Sequence, residues 1–375
     1  MPQNPNAALL YLKREFQALT WLGTAVLPVG FARLGFTRDW VTAGQWFIQA
    51  GLLWLYVCLF LKSRLALNRA TQESALYETL GWGNRLTLLR GGLIALTGGF
   101  LFIDQAAIGN SWAPALLYTL AAILDRFDGF VARRNRQVSL LGNELDISFD
   151  ALGLVIAPLL AISWGQLHAS YLLLSVAYYA YQWGMKRRSR LGLMIYPIPP
   201  NPLRRTLAGF QMGFVATALW LLLDPALTRL AGMVFMLPVL FGFVVDWLVV
   251  CGYVPAKLIT RLVAFSELYF QPGLRVLVLA LLIFAVPEIK LFEFAGLSFG
   301  LLTAWLGAGF ILSGFAGRFG ALVLIFWLGW QDTSVLNSLF LAALMTALSW
   351  ILLLGTGRFS LWQWGDEWLV RYDGA

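Results

Sequence analysis

The sequence predicts an all-α membrane protein, a polytopic bundle of helices. Hydrophobic residues make up 59% of its 375 residues and charged residues 12%, against about 45–50% and about 25% in soluble globular chains. A chain of this length has too little interior to hide that much apolar surface. The apolar residues fall in long unbroken runs, not in alternating stretches of about ten, which decides for helices over a barrel. A soluble enzyme, a disulfide-stapled secreted domain and a disordered tail are excluded.

About twelve apolar segments can be read along the chain. Two come first, near 17–36 and 41–61. The polar stretch Lys62–Gly83 then sets Leu76, Tyr77 and Leu80 at helical spacing, which predicts a helix lying on the membrane surface. Six segments follow, near 84–103, 111–131, 142–163, 170–185, 205–223 and 231–250. Lys257–Gln271 is mixed again and reads as interfacial, and four segments close the chain near 273–287, 295–315, 319–331 and 335–354.

Charge sets the orientation. The net charge of +8 is what a helical membrane protein acquires when Lys and Arg collect in cytoplasmic loops, and it is not a nucleic-acid signature. With the N-terminus cytoplasmic and all twelve segments crossing, only Arg33, Arg38, Arg229 and Lys290 of the 27 Lys and Arg fall outside. The loop from Lys186 to Arg205 holds Lys186, Arg187, Arg188, Arg190, Arg204 and Arg205, whereas the loops near 104–112 and 165–170 hold no basic residue. Both termini are therefore expected in the cytoplasm. Lys13, Arg14 and Glu15 lead into a mixed run with Trp21 and Pro28, so no cleaved signal is expected. Cys58 and Cys251 lie in apolar runs and form neither a disulfide framework nor a metal site by themselves.

One stretch breaks the apolar pattern. Asp125, Asp128, Glu144, Asp146 and Asp150 are clustered, and the four aspartates sit at or inside apolar helices. A carboxylate at the centre of a membrane helix costs about 2.5–3.5 kcal/mol on insertion scales. Four together repel one another unless cations neutralise them. Asp125 and Asp128 share a face near the end of one helix, and Gly129 and Ala132 continue it. Gly142, Asp146 and Asp150 share a face of the next helix at successive four-residue steps. The linker between them carries Arg133, Arg134 and Arg136 and is expected in the cytoplasm. Two antiparallel helices then present two Asp pairs to each other, and such hard oxygen donors suit Mg²⁺ or Mn²⁺.

Written out, the stretch is Asp125-x2-Asp128-Gly129-x2-Ala132-Arg133-x8-Gly142-x3-Asp146-x3-Asp150. It resembles the signature of the CDP-alcohol phosphatidyltransferases at every fixed position and gap, and the resemblance covers about 84–250. It implies a six-helix core of the CDP-alcohol phosphotransferase type, extended here by two N-terminal and about four C-terminal helices. The implied domains are 1–83, two transmembrane helices and an interfacial helix; 84–255, the six-helix catalytic core; and 256–375, a linker helix and a four-helix membrane unit.

The same resemblance implies roles. Asp125, Asp128, Asp146 and Asp150 are the expected ligands of two Mg²⁺ or Mn²⁺ ions, and Asp150 is also the expected catalytic base. Asp125, Gly129, Ala132, Arg133 and Gly142 are expected at the nucleotide. Asn84-x2-Thr87-x2-Arg90 lines one face of the preceding helix, and Asn84 and Thr87 are expected in the nucleotide site with them. Arg204 and Arg205 open the fifth core helix, where some family members hold an acceptor phosphate. The local pattern, Arg205-Thr206-x4-Gln211, departs from the common family spacing.

The expected reaction moves a phosphatidyl group from CDP-diacylglycerol, or another CDP-linked donor, to an alcohol and releases CMP, a step of phospholipid biosynthesis. The alternative is a non-enzymatic membrane lipid transporter or scaffold with a retired catalytic core. Expected surroundings are the lipid bilayer of a prokaryotic plasma membrane, with the active site facing the cytoplasm. No nucleic-acid partner is expected, and a homodimer is allowed. Gly355-x-Gly357-Arg358-Phe359-Ser360-Leu361 is similar to the closing motif of DoxX-like four-helix membrane proteins. His168, the only histidine, and Asp246, inside an apolar helix, receive no role.

Overall fold

The computed structural model describes residues 5–109, 112–199, 202–285, 293–294, 297–330 and 338–362. The fold is an all-α polytopic bundle, and the strands among the described residues are the two-residue pair Glu293–Phe294 and Leu297–Ser298. Among the described residues, five helical runs are long and apolar enough to cross a membrane: Ala7–Thr37, Trp40–Leu67, Leu140–Ser163, Pro225–Val250 and Lys257–Phe284. The chain divides into two compact units, Met1–Gln166 with Met212–Trp220, and Leu167–Gln211 with Leu221–Ala375.

In the first unit, α1 (Pro5–Thr37) and α2 (Trp40–Arg64) form a hairpin. Asp39 caps α2 by accepting the Thr42 N–H at 2.7 Å. Glycines let the two helices approach: Trp54 occupies the space beside Gly23, Trp46 that beside Gly30 and Trp40 that beside Gly35. The central helix is α3 (Gly81–Gly98), which packs against α2, α5 (Ala113–Arg134) and α6 (Leu140–Ser163). A one-turn helix, α4 (Gln105–Ile108), precedes α5. Trp46 Nε1 donates to the Leu96 carbonyl at 3.2 Å, and Arg85 pairs with Glu15 at 2.7 Å, so both N-terminal helices are fastened to α3.

The expected surface helix over Lys62–Gly83 does not form. α2 ends at Arg64, a single tight turn covers Leu65–Leu67, and turns follow to Leu80. The physical reason is Asn68, which is fully buried. Its side chain donates to the Thr79 carbonyl at 2.8 Å, and its carbonyl accepts the Tyr77 N–H at 2.9 Å. Side-chain bonds of this kind give the backbone an alternative to helix. The resulting loop grips the α5–α6 turn, because the Leu140 N–H donates to the Arg69 carbonyl at 2.9 Å.

In the second unit lie α7 (Leu173–Arg190), the first part of α8 (Pro202–Leu219), α9 (Pro225–Val250), α10 (Lys257–Phe265) and α11 (Gln271–Ala285), followed by α12 (Phe299–Ser313), α13 (Gly317–Trp330) and α14 (Ser338–Leu354). Lys257–Gln271 is not a separate surface segment. α10 passes through one wide turn, Ser266–Phe270, directly into α11. That turn precedes Pro272, which has no N–H to continue the ordinary ladder. α14 packs along α9, where Trp350 Nε1 donates to the Val234 carbonyl at 3.3 Å. Helices on both sides of residue 255 thus share one core.

Candidate active site

Three helices build the site, and their contacts fix its geometry. Along α3 and α5 the pairs Gly83 with Ala132, Thr87 with Asp128 and Arg90 with Asp125 run in opposite chain directions. Along α3 and α6 the pairs Asn84 with Gly142, Arg90 with Asp146 and Gly91 with Phe149 run in the same direction. The aspartates of α5 and α6 therefore meet on α3, around a single side chain.

That side chain is Arg90, which is completely buried. Its Nη1 pairs with Asp125 Oδ1 and lies 3.2 Å from Asp128 Oδ2. Its Nη2 lies 2.9 Å from Asp146 Oδ1 and 3.1 Å from Asp150 Oδ1. In the sequence, Arg90 shares a face of α3 with Asn84 and Thr87 and has no assigned role. The available signal was an arginine amid apolar residues, which needs a partner of opposite charge.

The four carboxylates are not equivalent. The Asp128 side chain is 7% exposed, while those of Asp125, Asp146 and Asp150 are 24%, 47% and 43% exposed. Asp128 is closed in by protein donors. The Thr87 hydroxyl lies 2.9 Å from its Oδ2 and the Gly129 N–H donates to its Oδ1 at 2.6 Å. Asp125, Asp146 and Asp150 each bring a carboxylate oxygen within 4.8 Å of the others. Three hard oxygen donors at that spacing, open on one side, fit a small divalent cation. Asp128 lies outside this converging group, so the expected two-pair arrangement becomes three open carboxylates and one enclosed.

The remaining expected residues divide into scaffold and rim. Asn84 is buried, and its amide group donates to Asn68 Oδ1, the Leu80 carbonyl and Ser139 Oγ at 3.0, 2.8 and 3.1 Å. Ser139 caps α6 by accepting the Gly142 N–H at 3.0 Å. A Cβ on Gly142 would stand 2.6 Å from Asn84 Oδ1. Asn84 and Gly142 are thus locked to each other, and the amide of Asn84, expected in the nucleotide site, is engaged by protein groups. Ala132 likewise packs where α3 and α5 cross, its Cβ 2.7 Å from the position a Cβ would take on Gly83. Gly129 and Arg133 form the rim: Arg133 is exposed, and its guanidinium folds back to 3.3 Å from the place of a Gly129 Cβ.

Arg204 and Arg205 belong to the second unit. Arg204 Nη2 donates to Asp246 Oδ1 at 2.7 Å, which supplies the partner that Asp246 lacked in the sequence. The Arg205 side chain lies outside the described residues.

The CDP-alcohol phosphatidyltransferase family model matches residues 82–244. The matched stretch, less than half of the chain, is similar to the CDP-alcohol phosphatidyltransferases. The phosphatidyltransferase match begins with α3 and runs through most of α9, so the carboxylate cluster falls wholly inside it, and α1 and α2 precede it. No curated protein and no solved structure matches the chain.

Proposed function

We propose that this membrane protein transfers a phosphatidyl group from CDP-diacylglycerol to an alcohol and releases CMP, as a step of phospholipid biosynthesis. The observation that carries the reading is the convergence of Asp125, Asp146 and Asp150 on an open side of the cluster, inside the matched domain. A retired scaffold has no use for carboxylates held open in an apolar bundle.

Asp125, Asp146 and Asp150 would hold Mg²⁺ or Mn²⁺, with Asp128 as an enclosed neighbour. When bound, two such ions supply positive charge to the donor diphosphate as CMP departs. Asp150 takes the proton of the acceptor hydroxyl. The acceptor oxygen then bonds to the phosphatidyl phosphorus as the bond to the CMP oxygen breaks. Arg133, folded over Gly129 at the rim, fits a diphosphate contact. Thr87 and Arg90 act behind the carboxylates, holding Asp128 in place. The asymmetry of basic loops supports a site on the cytoplasmic side, and the proposed membrane is a prokaryotic plasma membrane.

The test is incubation of purified protein with labelled CDP-diacylglycerol, Mn²⁺ and a panel of alcohols that includes glycerol phosphate, inositol phosphate and serine. A labelled phospholipid formed together with CMP is expected. Intact donor with every alcohol, from protein shown to be folded, would contradict the reading.

A further inference from the structure

We propose that Arg90 is the resident counter-cation of the carboxylate cluster, a positioning residue that keeps the site assembled without metal and in exchange weakens metal binding. This rests on the reading that the cluster takes divalent cations.

Four carboxylates and one guanidinium leave the cluster three charges short of neutral. Ion pairs fix Arg90 to all four carboxylates. Arg90 and Asp128 are buried, while Asp125, Asp146 and Asp150 keep exposed area. The guanidinium therefore meets the cluster from within, and the outer oxygens stay available. A fixed inner cation does two things. It offsets the repulsion that would drive α5 and α6 apart, and it repels any divalent cation that arrives outside. Its two terminal nitrogens divide the work, Nη1 serving the α5 pair and Nη2 the α6 pair. A planar fork can bridge two helices in this way and a single ammonium cannot.

A consequence follows from linkage. A ligand that binds the native state more tightly stabilises it more at equal concentration. Without Arg90 the native cluster is more negative, so Mn²⁺ should bind it more tightly and stabilise it more. The experiment measures thermal unfolding of full-length protein in detergent for wild type, Arg90→Gln, Arg90→Lys and the double variant Arg90→Gln with Asp146→Asn. Each is melted in excess chelator and in saturating Mn²⁺, with Mn²⁺ affinity followed by electron paramagnetic resonance.

Wild type should stay folded in chelator and gain modestly from Mn²⁺. Arg90→Gln should melt several degrees lower in chelator, recover most of that loss in Mn²⁺ and bind Mn²⁺ more tightly than wild type. Arg90→Lys should fall between them. The double variant should recover stability in chelator, and this arm remains readable if Arg90→Gln alone does not fold. Wild type that binds Mn²⁺ beside an Arg90→Gln loss equal in chelator and Mn²⁺, or beside a double variant without recovery, would overturn the role of Arg90 alone. Wild type that binds no Mn²⁺ would overturn the metal reading beneath it.

Discussion

Two buried arginines in apolar helices, Arg90 in the first unit and Arg275 in the second, invite comparison. Both are more than nine-tenths buried. Arg275 is met by main-chain carbonyls. Its Nε donates to Ile311 at 3.0 Å, its Nη1 to Thr356 and Arg358 at 3.4 and 3.3 Å, and its Nη2 to Leu312 and Phe359. Ile311 and Leu312 are near the C-terminal end of α12, where carbonyls have no helical partner. The cation there serves the negative end of a helix and the Gly355–Leu361 segment, and among the described residues no carboxylate pairs with it. Arg90 meets four carboxylates and leaves them three charges in excess. The lesson is that a buried charge by itself does not mark a reactive site. What marks one is a charge that the protein leaves uncompensated on an accessible side. The carbonyl contacts of Arg275 also give the Gly355–Leu361 motif a structural reason of its own.

The sharpest break in the comparison comes from Asp150→Asn. It removes the proposed base and one open carboxylate, so CMP release should fall by about 10²–10⁴-fold, the usual contribution of a positioned base. Folding should change little, because the Asp150 side chain keeps 43% of its exposure. A variant that retains more than a tenth of wild-type release would remove Asp150 from the mechanism.

Arg275→Met should behave in the opposite way. Each buried carbonyl left without a donor costs roughly 1–3 kcal/mol, so a loss of about 3 kcal/mol or more is expected. The loss should be the same in chelator and in Mn²⁺, since the partners of Arg275 among the described residues are main-chain carbonyls. A metal-dependent loss in this variant would erase the distinction between the two arginines.

Gly142→Ala sharpens the account within the first unit. Its Cβ would enter the space of Asn84 Oδ1, and overpacking of that kind costs about 1–3 kcal/mol. If nucleotide instead fills the space beside Gly142, stability will be unchanged and donor binding alone will weaken; unfolding and CDP binding measured side by side separate these outcomes. Glu15→Gln carries the smallest expected effect. The pair with Arg85 is partly exposed, so a loss of about 0.5–1 kcal/mol is expected in thermal melts, reduced by added salt.

The aspartate site was legible in the sequence because three- and four-residue spacings need only helical geometry to bring side chains onto one face. The enclosure of Asp128 was not legible, because it depends on how closely α3 crosses α5. Arg90 was visible as a charge without an address, since its partners are 35 to 60 residues away. The burial of Asn84 was not legible for a similar reason: Asn68 and Ser139, which occupy its amide, come from two separate loops. The error over Lys62–Gly83 arose from apolar spacing weighed without the Asn68 side chain, whose bonds turn the chain. Most helices were legible, but among the described residues five runs, against about twelve expected crossings, are long and apolar enough to cross a membrane. The continuous run from α10 to α11 was missed because the mixed composition of Lys257–Gln271 reads as interfacial, and the wide turn before Pro272 lets the helix continue.

The most direct test is the dependence of CMP release from CDP-diacylglycerol on Mn²⁺, measured on purified protein with an alcohol that accepts the phosphatidyl group. The account predicts no release in excess chelator, full recovery as Mn²⁺ is restored, and no such recovery for Asp150→Asn. Release that continues undiminished in chelator would contradict it, because the three open carboxylates would then have no cation to hold.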